Sequence, residues 1–283
     1  MTLLQKRITA LAADLQKTVF KLERDVSSKD VHRLRTTIRR LESLIRYANP
    51  EVGRKQQRAI DELASLRKRA GKVRDLDIQI GLLGAIANGS TGKDRRMIAD
   101  HLKMKRQRQA IRLTSDVTDL EYKKLFPRLE KISEKSLIAA PDQHENAPVD
   151  RARSELITLA GKTSLHHALK AARLHELRIS LKRIRYTAEL AEESDAQRQM
   201  LEELRPVQDA LGEWHDWETL VGTAEKLFKG RINCPLLVEM RSLLSARFSA
   251  AMSAVDRLFA KYMSEAGKAP ASVPGVPQLV RQA

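Results

Sequence analysis

Apolar residues recur along most of this chain at spacings of three and four, the period of a helix that buries one stripe. Between 31 and 45 they are Val31, Leu34, Ile38, Leu41 and Ile45, and between 174 and 188 they are Leu174, Leu177, Leu181, Ile184 and Ala188. No segment sustains a period of two, so no sheet is predicted and the fold class is all-α. The pattern predicts helices over roughly 2–25, 30–48, 54–70, 75–87, 94–136, 151–172, 174–194, 196–211, 215–229 and 235–264. Breaks are expected at Asn49-Pro50, Gly71, Asn88-Gly89-Ser90 and Gly230 to Pro235. Asp75 and Asp216 then fall just past Gly71 and Gly212 and read as N-caps or first-turn acids, favoured there by the helix dipole.

The chain resembles itself. VHRLRTTIRRL (31–41) returns as LHELRISLKRI (174–184), and LRKRAGKVRDLD (66–77) aligns with VQDALGEWHDWE (207–218), matching Gly71 with Gly212 and Asp75 with Asp216. A looser pairing sets Arg108 against Arg247. Ordered blocks at nearly one offset indicate an internal duplication. Residues 1–136 form the first repeat unit, 137–150 the linker and 151–264 the second unit. The tail 265–283, with three prolines and two glycines, reads as disordered.

Placed on a wheel at about 100° per residue, His32, Arg35, Arg39 and Arg46 fall within an arc of roughly 60° beside the apolar stripe. Arg33 and Arg40 point elsewhere. His175, Arg178, Lys182 and Arg185 repeat the basic arc in the second copy, followed by Arg183 off the arc. Bases at i, i+3 and i+7 next to a core stripe can face a neighbouring helix. Guanidinium forks there can donate paired hydrogen bonds to phosphate oxygens, and nearby phosphates would raise the histidine pKa values. Lys105, Arg108 and Arg112, with His101, make another stripe on the long helix, and Lys68 adds a base on the third. The competing account is that these bases form ion pairs with acids of neighbouring helices. The repetition of the set weighs against that account.

Composition widens the choice of partner and then narrows it. Lys and Arg number 52 against 36 Asp and Glu, a net charge of +16, so an anionic partner is expected. Aromatic residues are only 4%, and none interleaves with the basic stripe to stack bases, which places nucleic acid behind inorganic polyphosphate. A helical scaffold docking an acidic protein is a third possibility. The single cysteine, Cys234, cannot form an internal disulfide. The N-terminus has no signal-peptide pattern and no run approaches a membrane span, so a cytoplasmic location is expected.

Enzyme signatures are lacking. Gly89-Ser90-Thr91-Gly92-Lys93 has the wrong spacing for a P-loop, and His175-Glu176 lacks a second histidine at zincin spacing. His166-His167 and His215-Asp216 read as surface or cap residues, and Asp75/Asp77 as capping acids. No catalytic residue, metal or cofactor is assigned, and the chain is read as a binding module rather than an enzyme.

The repeated blocks quoted above, extended to VHRLRTTIRRLESLIRYANP, LHELRISLKRIRYTAEL and VQDALGEWHDWETL, resemble the CHAD domain, the conserved histidine α-helical domain, over about residues 2–264. The resemblance implies two four-helix bundles related by pseudo-two-fold symmetry around a basic central groove or pore. It also implies binding of inorganic polyphosphate and, for some members, association with polyphosphate granules. By position the family's basic residues correspond to His32, Arg35, Arg39, Arg40, His175, Arg178, Lys182 and Arg183. The chain departs at Glu176, at Glu189 (the place of Arg46) and at Asp209 (the place of Lys68), so the first unit is expected to grip more strongly. The CYTH triphosphate-tunnel domain of some members has no counterpart motif here.

Overall fold

The computed structural model describes residues 3–48, 53–86, 92–119, 122–135, 147–164, 171–229, 231 and 234–268. Every regular element among them is a helix, so the chain is all-α. Contacts divide it into two units, Met1–Asp142 and Gln143–Ala283.

The first unit contains α1 (Leu3–Leu22), α2 (Ser28–Ala48), α3 (Arg54–Ala85), α4 (Gly92–Thr118) and α5 (Tyr122–Lys135). All five apolar residues of the α2 stripe, Val31, Leu34, Ile38, Leu41 and Ile45, are buried. Each contributes about 1.5–3 kcal/mol when fully removed from water. They pack with Ile8, Leu15 and Val19 of α1, Leu63 and Val73 of α3, and Ile98, Leu102 and Leu113 of α4 as the core of the unit. Ser27 caps α2: its hydroxyl accepts from the Asp30 backbone N–H at 3.1 Å and donates to the Asp30 carboxylate at 2.6 Å. That cap fixes where the helix begins and so sets His32 one turn inside it.

Asp14 of α1 ties down the far flank of α2. It accepts hydrogen bonds from Arg33 (Nε at 3.1 Å, and Nη2) and from Thr37 at 2.8 Å. The Arg33 bond is the largest influence on its pKa; it outweighs burial and, with Thr37, holds the carboxyl below its ordinary value. A carboxylate lowered on folding stabilises the fold above its unfolded pKa, and that share is lost as pH falls through the folded value. Urea midpoints are therefore expected to drop between pH 7 and pH 3, and Asp14→Asn to flatten that drop. An unchanged profile in the variant would remove Asp14 from the account.

The second unit contains α6 (Ala147–Ser164), α7 (Ala171–Ala188), α8 (Asp195–Leu227) and α9 (Pro235–Lys268). Ser194 caps α8 by accepting from the Gln197 backbone N–H at 3.2 Å. Gln197 is buried and its side-chain amide donates to the Ala191 carbonyl at 3.0 Å, closing the turn from α7. Trp214 anchors the core, edge-on to Phe248 at 6.3 Å and grouped with Leu177, Leu181, Leu211 and Val255. Tyr262 is fully buried and donates to Glu203 at 2.6 Å, while Lys261 reaches the same carboxylate at 2.8 Å.

Three expectations about helix ends are corrected. Gly71 and Gly212 do not break helices, because each lies inside one continuous element, α3 or α8. Asp75 and Asp216 are consequently mid-helix residues, not caps. The single helix expected over 94–136 is two, α4 and α5, and the second packs back on α1 and α3. The remaining differences are in extent: α6 starts at Ala147 and α9 continues to Lys268, while 269–283 lie outside the described residues.

A mid-helix glycine costs about 0.5–1 kcal/mol relative to alanine, through backbone entropy. A Cβ on Gly212 would meet nothing within 4 Å, and one on Gly71 would come no closer than 3.9 Å to the Arg35 guanidinium. Gly212→Ala is expected to raise stability by about 0.5–1 kcal/mol, read as a higher urea midpoint. Gly71→Leu should instead push Arg35 off the helix and lower the urea midpoint.

Candidate anion-binding faces

In the first unit α2 and α3 run antiparallel. Arg35 lies over Gly71 and reaches Asp75 at 3.3 Å, and further along Glu42 meets Arg67 at 2.8 Å. This register carries Arg74 to His32. The His32 ring reaches solvent, yet its pKa lies below the ordinary imidazole value. Partial desolvation is the largest cause, followed by the charges of Arg74, Arg35 and Arg39. Four cationic or ionisable groups from two helices thus share one side of the unit. Lys68 is exposed on α3, one turn before Gly71, and Arg46 is exposed at the far end of α2.

The second unit builds a comparable face from α7 and α8. Gln208 of α8 donates to the Leu181 carbonyl at 2.9 Å and accepts from Arg185 at 3.0 Å, which sets the antiparallel register. His175 is thereby brought against His215, the rings stacked with centroids 5.3 Å apart and 28° between planes. The His175 pKa is also below its ordinary value. Burial is again first, then the His215 and Arg178 charges; Glu218 opposes them and Lys182 adds to them.

The structure sorts the residues singled out in the sequence. His32, Arg35 and Arg39 lie together, as do His175, Arg178 and Lys182. Arg40 and Arg183 do not join them. Arg183 turns to α6, 3.7 Å from Glu155, and Arg40 shares the flank of Arg33, which faces α1. Arg185 is ion-paired with Glu189 at 2.9 Å, and Arg247 with Glu213 at 2.6 Å. Both therefore have a structural partner in their own unit. Lys105, Arg108 and Arg112 are exposed on the outer face of α4 beside Met104 and Ile111, whereas the charges acting on His32 come from α2 and α3. Asp75 and Asp77 diverge, one to Arg35 and the other to Arg106 at 2.8 Å, so they are not a paired-carboxylate site. His166 and His167 lie outside the described residues.

Arg74 escaped the sequence reading, and His215 was read there only as a surface or cap residue. The repeat alignment that matched Asp75 with Asp216 places Arg74 directly opposite His215, which was the available signal. Among the described residues no group of three or more His, Cys, Asp and Glu is arranged to hold a metal ion, and no helix is long and apolar enough to cross a membrane.

Wholly helical units, each bearing a histidine-and-arginine face, define a class of basic all-α domain. The chain belongs to the CHAD domain family, whose profile matches residues 6–225. Among solved structures, the crystal structure of the CHAD domain from the plant Ricinus communis is similar, with a TM-score of 0.71 at 18% identity, covering 92% of this chain and 91% of that one. PptA from Streptomyces chartreusis is similar with a TM-score of 0.60 at 16% identity, covering 92% and 98%. At these identities the likeness concerns the fold. No curated protein sequence matches the chain.

Proposed function

We propose that the protein is a binding module for inorganic polyphosphate, held by the His32, Arg35, Arg39 and Arg74 face and by the His175, Arg178, Lys182 and His215 face. The observation that carries this is the convergence of basic groups from two helices on each histidine: Arg35 and Arg39 of α2 with Arg74 of α3 around His32, and Arg178 and Lys182 of α7 around the stacked His175–His215 pair. Basic groups gathered closely enough to discourage protonation of a histidine are groups an anion would relieve. A polyphosphate chain offers a charge at every unit and oxygens matched to guanidinium forks. The two faces are proposed as copies of one ancestral unit, and the resemblance to the family implies the same ligand. Catalysis is no part of the proposal, whereas a cytoplasmic location with association at polyphosphate granules is.

Long-chain polyphosphate is expected to bind at about 150 mM salt and to resist displacement by duplex DNA or tRNA at equal phosphate concentration. Displacement by nucleic acid would make nucleic-acid binding the better reading. Capture of an acidic protein with no binding of polyphosphate would favour the scaffold. Affinity should fall as salt rises, because cations that neutralise phosphates release counterions.

A further inference from the structure

The two faces differ in the residue that the second helix contributes. In the first unit it is Arg74, which keeps its charge at any physiological pH. In the second it is His215, stacked on His175. Resting on the polyphosphate reading above, we propose that His215 is a phosphate-binding residue of the second unit and acts only when protonated. The grip of that unit is then gated by protons, while the grip of the first is set mainly by permanent charge.

The surroundings of the pair favour this role. His215 is about four-fifths shielded, its side chain 21% exposed, and its Nδ1 lies 3.4 Å from the Asp216 carboxylate. His175 faces Arg178 and Lys182 on its own helix, and His215 and Glu218 on α8. From α6, the other helix packed on α7, Glu155 reaches Arg183, and from α9, packed on α8, Arg247 reaches Glu213, two residues before His215. Two imidazolium rings in stacking contact repel each other, and Arg178 and Lys182 add to that repulsion against the partial relief from Asp216 and Glu218. An anion placed over the rings removes the obstacle, so binding and protonation support each other. Linkage makes this reciprocal: if the anion raises proton affinity, a lower pH raises anion affinity. A polyanion bound at the first face has one imidazole to load, His32. At the second it has two.

The test is calorimetric titration of the full chain with long-chain polyphosphate in two buffers of different ionisation enthalpy, which counts protons taken up. His215→Arg and the converse Arg74→His are compared with the wild type. His215→Arg is expected to bind more tightly at pH 7.5 and to take up fewer protons. Its affinity gain on acidification from pH 7.5 to pH 5.5 should be smaller than that of the wild type. Arg74→His is expected to move in the opposite direction on every count. His32 titrates in both the wild type and the His215→Arg variant, so the difference between those two isolates His215. His215→Gln, which removes the charge with little change in volume, serves if the arginine variant loses helix. Equal proton uptake and parallel pH profiles in wild type and variants, with binding intact, would overturn the gate and leave the polyphosphate reading standing. Absence of binding in every protein at both pH values would overturn both.

Discussion

Arg39→Glu combined with Lys182→Glu is expected to lower the proposed affinity for long-chain polyphosphate by about 100-fold or more, with the helical circular-dichroism signal unchanged. Each substitution removes a charge-assisted contact worth about 1.5–3 kcal/mol, roughly 10- to 100-fold in affinity, and puts a like charge in its place. Both residues stand at the i+7 position of the stripe and contribute to the charge that disfavours protonation of the neighbouring histidine. Arg35 is a poorer choice for this test. Its side chain is only 18% exposed, it lies over Gly71 and it reaches Asp75, so Arg35→Glu would set two carboxylates together between α2 and α3. Equal loss of helix and binding in the Arg39/Lys182 double variant would mean that these bases hold helices together and do not serve a ligand. Arg39→Lys with Lys182→Arg keeps the charge and should retain most of the affinity.

Trp214→Ala should destabilise the second unit by about 3–5 kcal/mol, the usual cost of truncating a buried large aromatic residue. Trp214 is 2% exposed and packs edge-on to Phe248, within a cluster that includes both leucines of the α7 stripe nearest His175. Chemical denaturation followed by tryptophan fluorescence from Trp217 would read the loss. The same variant should loosen the His175–His215 contact, because Trp214 immediately precedes His215 and fixes the turn of α8 that carries it. A loss below about 1 kcal/mol would show that the cluster collapses around the vacancy, contrary to a close-packed core.

The helical class and the buried stripes of α2 and α7 were legible because period and apolar spacing determine which face is covered. Helix ends were less legible. Glycine was read as punctuation at 71 and 212, but a glycine can also sit mid-helix where a neighbouring side chain lies close, as Arg35 does over Gly71. The basic stripe was legible as a stripe, since position on a wheel needs only the sequence. Its division was not. Which bases meet acids in their own unit depends on the register between helices: Arg247 finds Glu213 and Arg183 turns to Glu155, while Arg35, though it meets Asp75, lies with Arg39 beside His32. Arg74 was passed over and His215 was read as a surface or cap residue because Gly71 and Gly212 were taken as helix ends, which put both residues at a turn and not on the helix face beside α2 or α7. The apparent deficits of the second copy also change meaning. Glu189 is matched by Arg185, so it takes charge from the end of the α7 stripe and leaves His175, Arg178 and Lys182 intact.

The most direct measurement is a pH titration of the histidine ring resonances by NMR, with and without long-chain polyphosphate. In the free protein the resonances of His32 and His175 should titrate below the ordinary imidazole value of 6.5. With polyphosphate bound, both should move above it, because the anion favours the charged ring. If polyphosphate binds and neither resonance shifts, the ligand sits elsewhere and the two faces are not its site.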